Sequence, residues 1–197
     1  IKLIDAKDNL SIQVHSDDEY ALRVEEKKKK TEMWYIVDCE PDSFLYYGVN
    51  REVTKDEFRE RIENNTLLEI LNQVPVKKGD VFFMPSGTIH AICSGILICE
   101  VQQNSNTTYR VYDYGRLVDG KPRELHVEKA KDVTDLCPAK AYPETPVEQL
   151  DGYTSKLLSS CEYFTTYALD VAEKADLEAD EKSFASILVL EGECEIT

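Results

Sequence analysis

The chain has 197 residues and a formal net charge of −15, which argues against nucleic acid or an anionic membrane surface as its partner. Apolar residues make up 42% and charged residues 31% of it, the balance of a soluble globular protein, and no apolar run approaches the roughly 20 residues of a membrane span. The length suits one large domain or one and a half ordinary ones.

In chain order, the opening Ile1-Lys2-Leu3-Ile4-Asp5 carries neither an initiator Met nor a basic-then-apolar leader, so a fragment is expected. Strands are predicted over Leu10 to His15, Glu32 to Cys39, Ser43 to Val49, Val81 to Pro85, His90 to Ile92, Gly95 to Gln102 and Arg110 to Tyr114, each rich in Val, Ile, Leu, Phe or Tyr and bounded by turn residues. Between them, Thr54 with Glu57 three residues on forms a capping box. Phe58, Ile62, Leu67, Leu68 and Leu71 then recur at helical spacing, predicting one helix over 54–72, or two broken near Asn64-Asn65, covering one end of a barrel or sandwich. Val127 to Leu136 adds a short helical turn. Pro138, Pro143 and Pro146 mark 136–150 as a linker. Strands resume at Lys156 to Leu158, Phe164 to Val171 and Ala185 to Leu190, with a turn into another near Glu191-Gly192, so 151–197 reads as a partial second β domain. The six cysteines, Cys39, Cys93, Cys99, Cys137, Cys161 and Cys194, form no CxxC pair, and free cytosolic thiols are expected.

Four segments carry candidate chemistry. In Gln13-Val14-His15, side chains two apart share a strand face, so an amide oxygen and an imidazole point the same way. Lys30 and Glu32 have the same relation, although Lys27-Lys28-Lys29-Lys30 reads most simply as a solvated run. Gly79 to His90 fits G-x5-P-x-G-x2-H, a signature of the cupin superfamily: the glycines allow tight turns, Pro85 stiffens the approach, and His90 faces inward. Two imidazoles, a carboxylate and an amide, from His15, His90, Glu32 and Gln13, suit Zn²⁺ with an open position. The fourth segment runs from Glu100 through Gln102-Gln103-Asn104-Ser105-Asn106-Thr107-Thr108-Tyr109-Arg110 to Tyr114.

Taken in order, Gln-Val-His followed by Asp17-Asp18, Lys-Thr-Glu-Met-Trp-Tyr, Pro-x-Gly-Thr-x-His-Ala and Gln-Gln-Asn-Ser-x-Thr-Thr-Tyr-Arg-Val-Tyr-Asp-Tyr resemble the bacterial type I phosphomannose isomerases. The resemblance continues through Arg123-Glu124-Leu125-His126 to about Val133 and more loosely beyond. It implies a mainly β fold, a cupin double-stranded β-helix (jelly roll), with a catalytic domain over 1–135 whose N-terminal strands are missing. It further implies one Zn²⁺ per chain on Gln13, His15, Glu32 and His90, with Arg110, Lys30 and Glu100 at catalytic positions and Lys30 and Arg110 against the substrate. His126 matches a recurrent family position with no chemical role attached, and a structural or surface role is expected for it. Three departures stand out: Ser16 where the family commonly has Pro, Lys29 where Gly often precedes Lys-Thr-Glu, and Asn106 in place of a frequent Asp.

The activity implied is interconversion of mannose 6-phosphate and fructose 6-phosphate through a cis-enediol, in the cytoplasm, by a monomer or weak dimer. Zinc, Arg110 and Lys30 would supply local positive charge for an anionic substrate within an acidic protein. Two other readings are an Fe(II)-dependent cupin oxygenase, since two His and a carboxylate also hold iron, and a non-catalytic sugar-binding cupin. Bound iron with oxygen uptake would favour the first, and tight sugar-phosphate binding without turnover the second.

Overall fold

The computed structural model describes residues 1–25, 30–140 and 142–197, and the strongest internal contacts divide the chain into units Ile1–Tyr142 and Pro143–Thr197. In the first unit the elements run β1 (Lys2–Ala6), β2 (Ile12–Val14), α1 (Asp18–Glu25), β3 (Glu32–Cys39), β4 (Phe44–Val49), α2 (Lys55–Glu63), a 3₁₀ turn (Leu67–Ile70), β5 (Leu71–Pro75), β6 (Val81–Met84), β7 (His90–Ile92), β8 (Ile96–Gln102), β9 (Tyr109–Tyr112), a small hairpin of β10 (Leu117–Val118) and β11 (Lys121–Pro122), and α3 (Val127–Val133). The strands build two antiparallel sheets, one ordered β1-β8-β3-β6 and the other β5-β4-β7-β2-β9. This is the jelly roll expected of a cupin.

Alternation along the strands sorts side chains between two cores. Trp34, Ile36, Ile96 and Ile98 of the four-stranded sheet pack with Leu45, Tyr47 and Ile92 of the five-stranded sheet. The opposite face of the five-stranded sheet is also apolar: Ile12, Val14, Tyr46, Ala91, Tyr109 and Val111 pack against Phe58 and Ile62 of α2, Leu67 and Ile70 of the 3₁₀ turn, and Ala130 of α3. The helical insertion therefore covers the outer face of a sheet and not one end of the barrel. The reason is visible in β2, where Ile12 and Val14 are both fully buried on the side away from Gln13.

The expected helix over 54–72 divides as its sequence allows. Thr54 caps α2, its hydroxyl accepting from the Glu57 N–H at 3.2 Å. Asn65 adopts a left-handed conformation (φ +56°) that stops the helix, and Leu71 opens strand β5 where helical spacing had suggested continuation. Strand β1 lies against β8 in register Lys2↔Glu100 to Ala6↔Ile96, a pairing the short opening segment did not announce. The predicted linker stays attached to the first unit as far as Tyr142: Pro138 bridges Val49, and Tyr142 stacks near Phe83 with ring centroids 5.1 Å apart.

The second unit holds one antiparallel sheet of β12 (Val147–Gln149), β13 (Tyr153–Ser160) and β14 (Thr165–Val171), in that order. Ala185 to Leu190, expected as a strand, is extended coil with exposed side chains and finds no ladder partner among the described residues. Leu190 to Ile196 likewise forms no strand.

Candidate metal centre

The inner face of the five-stranded sheet carries a transverse row of polar residues. Gln13 lies opposite His90 on one side and Arg110 on the other, and His90 lies opposite Tyr47. Directly opposed residues in antiparallel strands share a face, so Arg110, Gln13 and His90 point into the space between the sheets. His15 follows β2 on the same side. From the facing sheet comes Glu32, the first residue of β3.

His90 is delivered by its turn. Gly79 and Gly87 both sit at left-handed φ (+89° and +88°), where glycine carries no steric cost. The Gly87 N–H donates to the His15 carbonyl at 2.8 Å, tying the two histidine-bearing segments together. A Cβ at Gly87 would lie 3.0 Å from the Val133 carbonyl oxygen, so this position is closed to side chains twice over.

His15, Glu32 and His90 converge, with ligand atoms within 4.8 Å of one another and all three side chains buried. His15 Nε2 is 3.3 Å from Glu32 Oε1, and His90 Nε2 is 3.6 Å from Glu32 Oε2. The outer ring nitrogens face carbonyls: His15 Nδ1 is 2.9 Å from Thr107 O and His90 Nδ1 is 2.8 Å from Thr88 O. A carbonyl can only accept, so Nδ1 carries the proton in both rings and, in the neutral imidazole, Nε2 presents a lone pair. Two lone pairs and a carboxylate thus face one another in a dry space. His15 Nε2, His90 Nε2 and both Glu32 oxygens make no hydrogen bond, although Lys30 Nζ is ion-paired to Glu32 Oε1. Buried polar atoms are rarely left so; the Lys30 ammonium offsets the carboxylate charge, and the two imidazole lone pairs remain to be met by a proton or a cation. Carbonyl-oriented imidazoles are also the usual support of metal-binding histidines. Donor atoms about 2.0–2.2 Å from a tetrahedral zinc lie roughly 3.3–3.6 Å from each other; the two histidine–carboxylate distances fall in that range, each to a different oxygen of Glu32, while the whole set lies within 4.8 Å. The residues fit a divalent cation.

Burial pushes the Glu32 carboxyl up, but the His15 hydrogen-bonding contact and the charges of His15, His90 and Lys30 outweigh it and hold the group below the usual carboxylate range. Burial pushes His90 down to about 4, with His15 acting in the same direction. Lys30, read from sequence as part of a solvated run, is 6% exposed and ion-paired to Glu32 Oε1. Its relation to Glu32, two residues away on one face, is what draws it inward. Lys27, Lys28 and Lys29 lie outside the described residues.

Glu100 on β8 lies opposite Trp34 and is 4% exposed. Lys2 Nζ is 2.7 Å from Glu100 Oε1, and Trp34 Nε1 donates to Glu100 Oε2 at 3.2 Å. The Trp34 indole in turn meets His90 edge-on, with centroids 5.2 Å apart. Arg110 donates from Nη1 to the Glu124 carbonyl at 3.1 Å, and burial together with Arg123 lowers its pKa. Sequence reasoning did not single out Lys2, Trp34 or the Thr88 and Thr107 carbonyls. A main-chain oxygen has no signature in a sequence, whereas Trp34 stood inside a quoted motif.

No protein-family model matches the chain. Mannose-6-phosphate isomerase ManA from Bacillus subtilis is 43% identical over 194 residues, covering 98% of this chain and 61% of the relative. A further relative from Bacillus subtilis, 42% identical over 97% of this chain and 60% of its own length, is named a putative mannose-6-phosphate isomerase. The enzyme from Streptococcus mutans is 39% identical, with 100% of this chain and 61% of the relative covered. The crystal structure of mannose 6-phosphate isomerase from Bacillus subtilis superposes with a TM-score of 0.81 at 42% identity, over 86% of this chain and 54% of that one. A point mutant of phosphomannose isomerase from Salmonella typhimurium, 13% identical with a TM-score of 0.57 over 80% of this chain and 59% of its own, shares the fold. The chain spans about three-fifths of the length of its curated relatives.

Proposed function

We propose that the protein is a zinc-dependent mannose-6-phosphate isomerase whose catalytic domain is the cupin unit and whose ion is held by Gln13, His15, Glu32 and His90. The observation that carries the reading is the convergence of two buried, unbonded imidazole nitrogens on the Glu32 carboxylate, all within 4.8 Å of one another. The names of the relatives supply the substrate. Gln13 enters as fourth ligand because it lies opposite His90 on the same face. The absence of thiolate from the set suits a catalytic ion with an open position better than a structural one.

When bound, zinc supplies a Lewis acid that polarises substrate oxygens. The chain's own residues do the rest. Arg110 and Lys30 bring fixed positive charge to an anionic substrate. Glu100, buried and held between Lys2 and Trp34, takes the proton from C2 of the open-chain aldose while the C1 carbonyl oxygen gains one from water, so that C1–C2 becomes the enediol. It returns the proton to C1 while the C2 hydroxyl gives up its own to leave the ketone. The reading places the protein in the cytoplasm, where its six unpaired cysteines would stay reduced, acting as a monomer or weak dimer.

The test is a coupled assay with mannose 6-phosphate on the full-length protein, with and without chelator, beside metal analysis of protein purified without added metal. Bound zinc and chelator-sensitive turnover are expected. No turnover by the metal-loaded protein would overturn the reading, and bound iron with oxygen uptake would replace it with an oxygenase.

A further inference from the structure

Strand β9 is the last of its sheet, so the main chain of Arg110 has an open edge to satisfy. His126 closes it from two sides. The His126 N–H donates to the Arg110 carbonyl at 2.8 Å, and the Arg110 N–H donates to His126 Nδ1 at 3.2 Å. Such use of the imidazole is unusual for its location. His126 is the N-cap residue of α3, yet its side chain makes no capping bond to that helix; it turns to the strand instead. Nδ1 can accept only if the ring proton is on Nε2, and Nε2 is the nitrogen that faces the Glu124 carboxylate, 3.9 Å away.

The same segment holds Arg110 at a third point, the guanidinium contact to the Glu124 carbonyl. Its other end is fixed by Asp113, whose carboxylate takes Arg123 Nε at 2.7 Å and Arg116 Nη2 at 2.6 Å. Residues Arg123 to His126 therefore run as a strap along β9. The strap grips one residue of that strand, Arg110, which lies opposite Gln13 of β2.

We infer that His126 is a positioning residue for Arg110: its imidazole and its main chain together fix the Arg110 backbone, and with it the guanidinium, opposite Gln13. The inference rests on the reading that Arg110 serves the isomerase reaction. It assigns His126 no contact with substrate or metal.

His126→Phe keeps the ring and removes the acceptor. His126→Asn keeps an acceptor, Oδ1, close to the place of Nδ1. The full-length, zinc-loaded protein is compared with both variants and with Arg110→Ala by steady-state kinetics on mannose 6-phosphate and by amide hydrogen exchange over Tyr109–Tyr112. A loss in kcat/KM on the order of ten- to a hundredfold is expected for the Phe variant, the usual cost of a misplaced catalytic group, with zinc content unchanged and exchange at Arg110 accelerated. The Asn variant is expected to recover most of that loss. If both variants bind zinc and match wild type, or if both are equally impaired and equally unstable, His126 is not a positioning residue. If the Phe variant fails to fold, the Asn variant decides: wild-type kinetics and protected exchange at Arg110 support the inference, and lost activity overturns it. Full activity of Arg110→Ala would remove the role of Arg110 itself and this inference with it, whereas an inactive Arg110→Ala beside unaffected His126 variants would sink only the inference.

Discussion

Trp34 donates its indole N–H to Glu100 at 3.2 Å while its ring edge rests against His90. One side chain thus touches both a proposed ligand and the proposed proton-transfer carboxylate. Trp34→Phe keeps most of the packing and removes the donor. Loss of one hydrogen bond to a charged, buried acceptor costs about 1.5–3 kcal/mol, offset in part because Lys2 still holds the carboxylate. The expected outcome is a lowered melting temperature and a severalfold fall in kcat with zinc content intact. Thermal melts, kinetics and metal analysis on the same preparation would check it, and an unchanged kcat would separate Glu100 from the reaction.

Glu32→Gln replaces a carboxylate by a neutral amide in the same volume. It removes the negative charge that a divalent ion needs and leaves Lys30 buried without its partner. Zinc should fall below stoichiometry and turnover by about 10²–10³-fold, the scale on which losing a single electrostatic contributor acts. Metal analysis after dialysis is the direct measurement. Full zinc occupancy in the variant would contradict the ligand set.

The metal-free protein should lose stability as the pH falls from neutrality. His90 has a folded pKa near 4 against an ordinary 6.5, so between those values the unfolded chain takes up a proton that the folded protein refuses. Stability therefore declines as pH drops through that window, by at most about 3 kcal/mol at 1.36 kcal/mol per pH unit. Glu32 acts in the same direction below its ordinary 4.5, because its folded pKa is depressed. Urea unfolding of chelator-treated protein between pH 7 and pH 4 would check this. A flat profile would mean that the histidine is not held neutral by burial.

Ser16 is fully buried, and its hydroxyl has no hydrogen-bond partner. An unpaired buried hydroxyl costs roughly 1–3 kcal/mol. Ser16→Ala should leave stability unchanged or raise it by up to about 1 kcal/mol, read as the urea midpoint. A large loss would mean that the hydroxyl has a partner.

Much of this was legible in the sequence, for identifiable reasons. Glu32–Cys39 was read to the residue because a dense run of β-branched and aromatic residues ended at a sharp turn signal, and His90–Ile92 because turns at Gly87 and Gly95 bracket it. The Gly79 to His90 spacing located His90 because two left-handed turns demand glycine. Leu71 was misread as the end of a helix because 3.6-residue spacing cannot show where a 3₁₀ turn hands over to a strand. Ala185 to Leu190 shows the reverse limit: strand propensity without a partner strand makes no strand. The pairing of Lys2 with Glu100 across 98 residues, and the turning of His126 to Arg110, are tertiary facts that no local pattern encodes.

The three converging side chains do not come from one sheet. His15 and His90 belong to the five-stranded layer, and Glu32 opens a strand of the four-stranded one. An ion seated among them is a rivet through the sandwich as well as a reagent. Chelation would then unfasten the two layers at the mouth of the cavity at the same moment that it stops the chemistry, so inactivation and loosening of the barrel should prove inseparable in time.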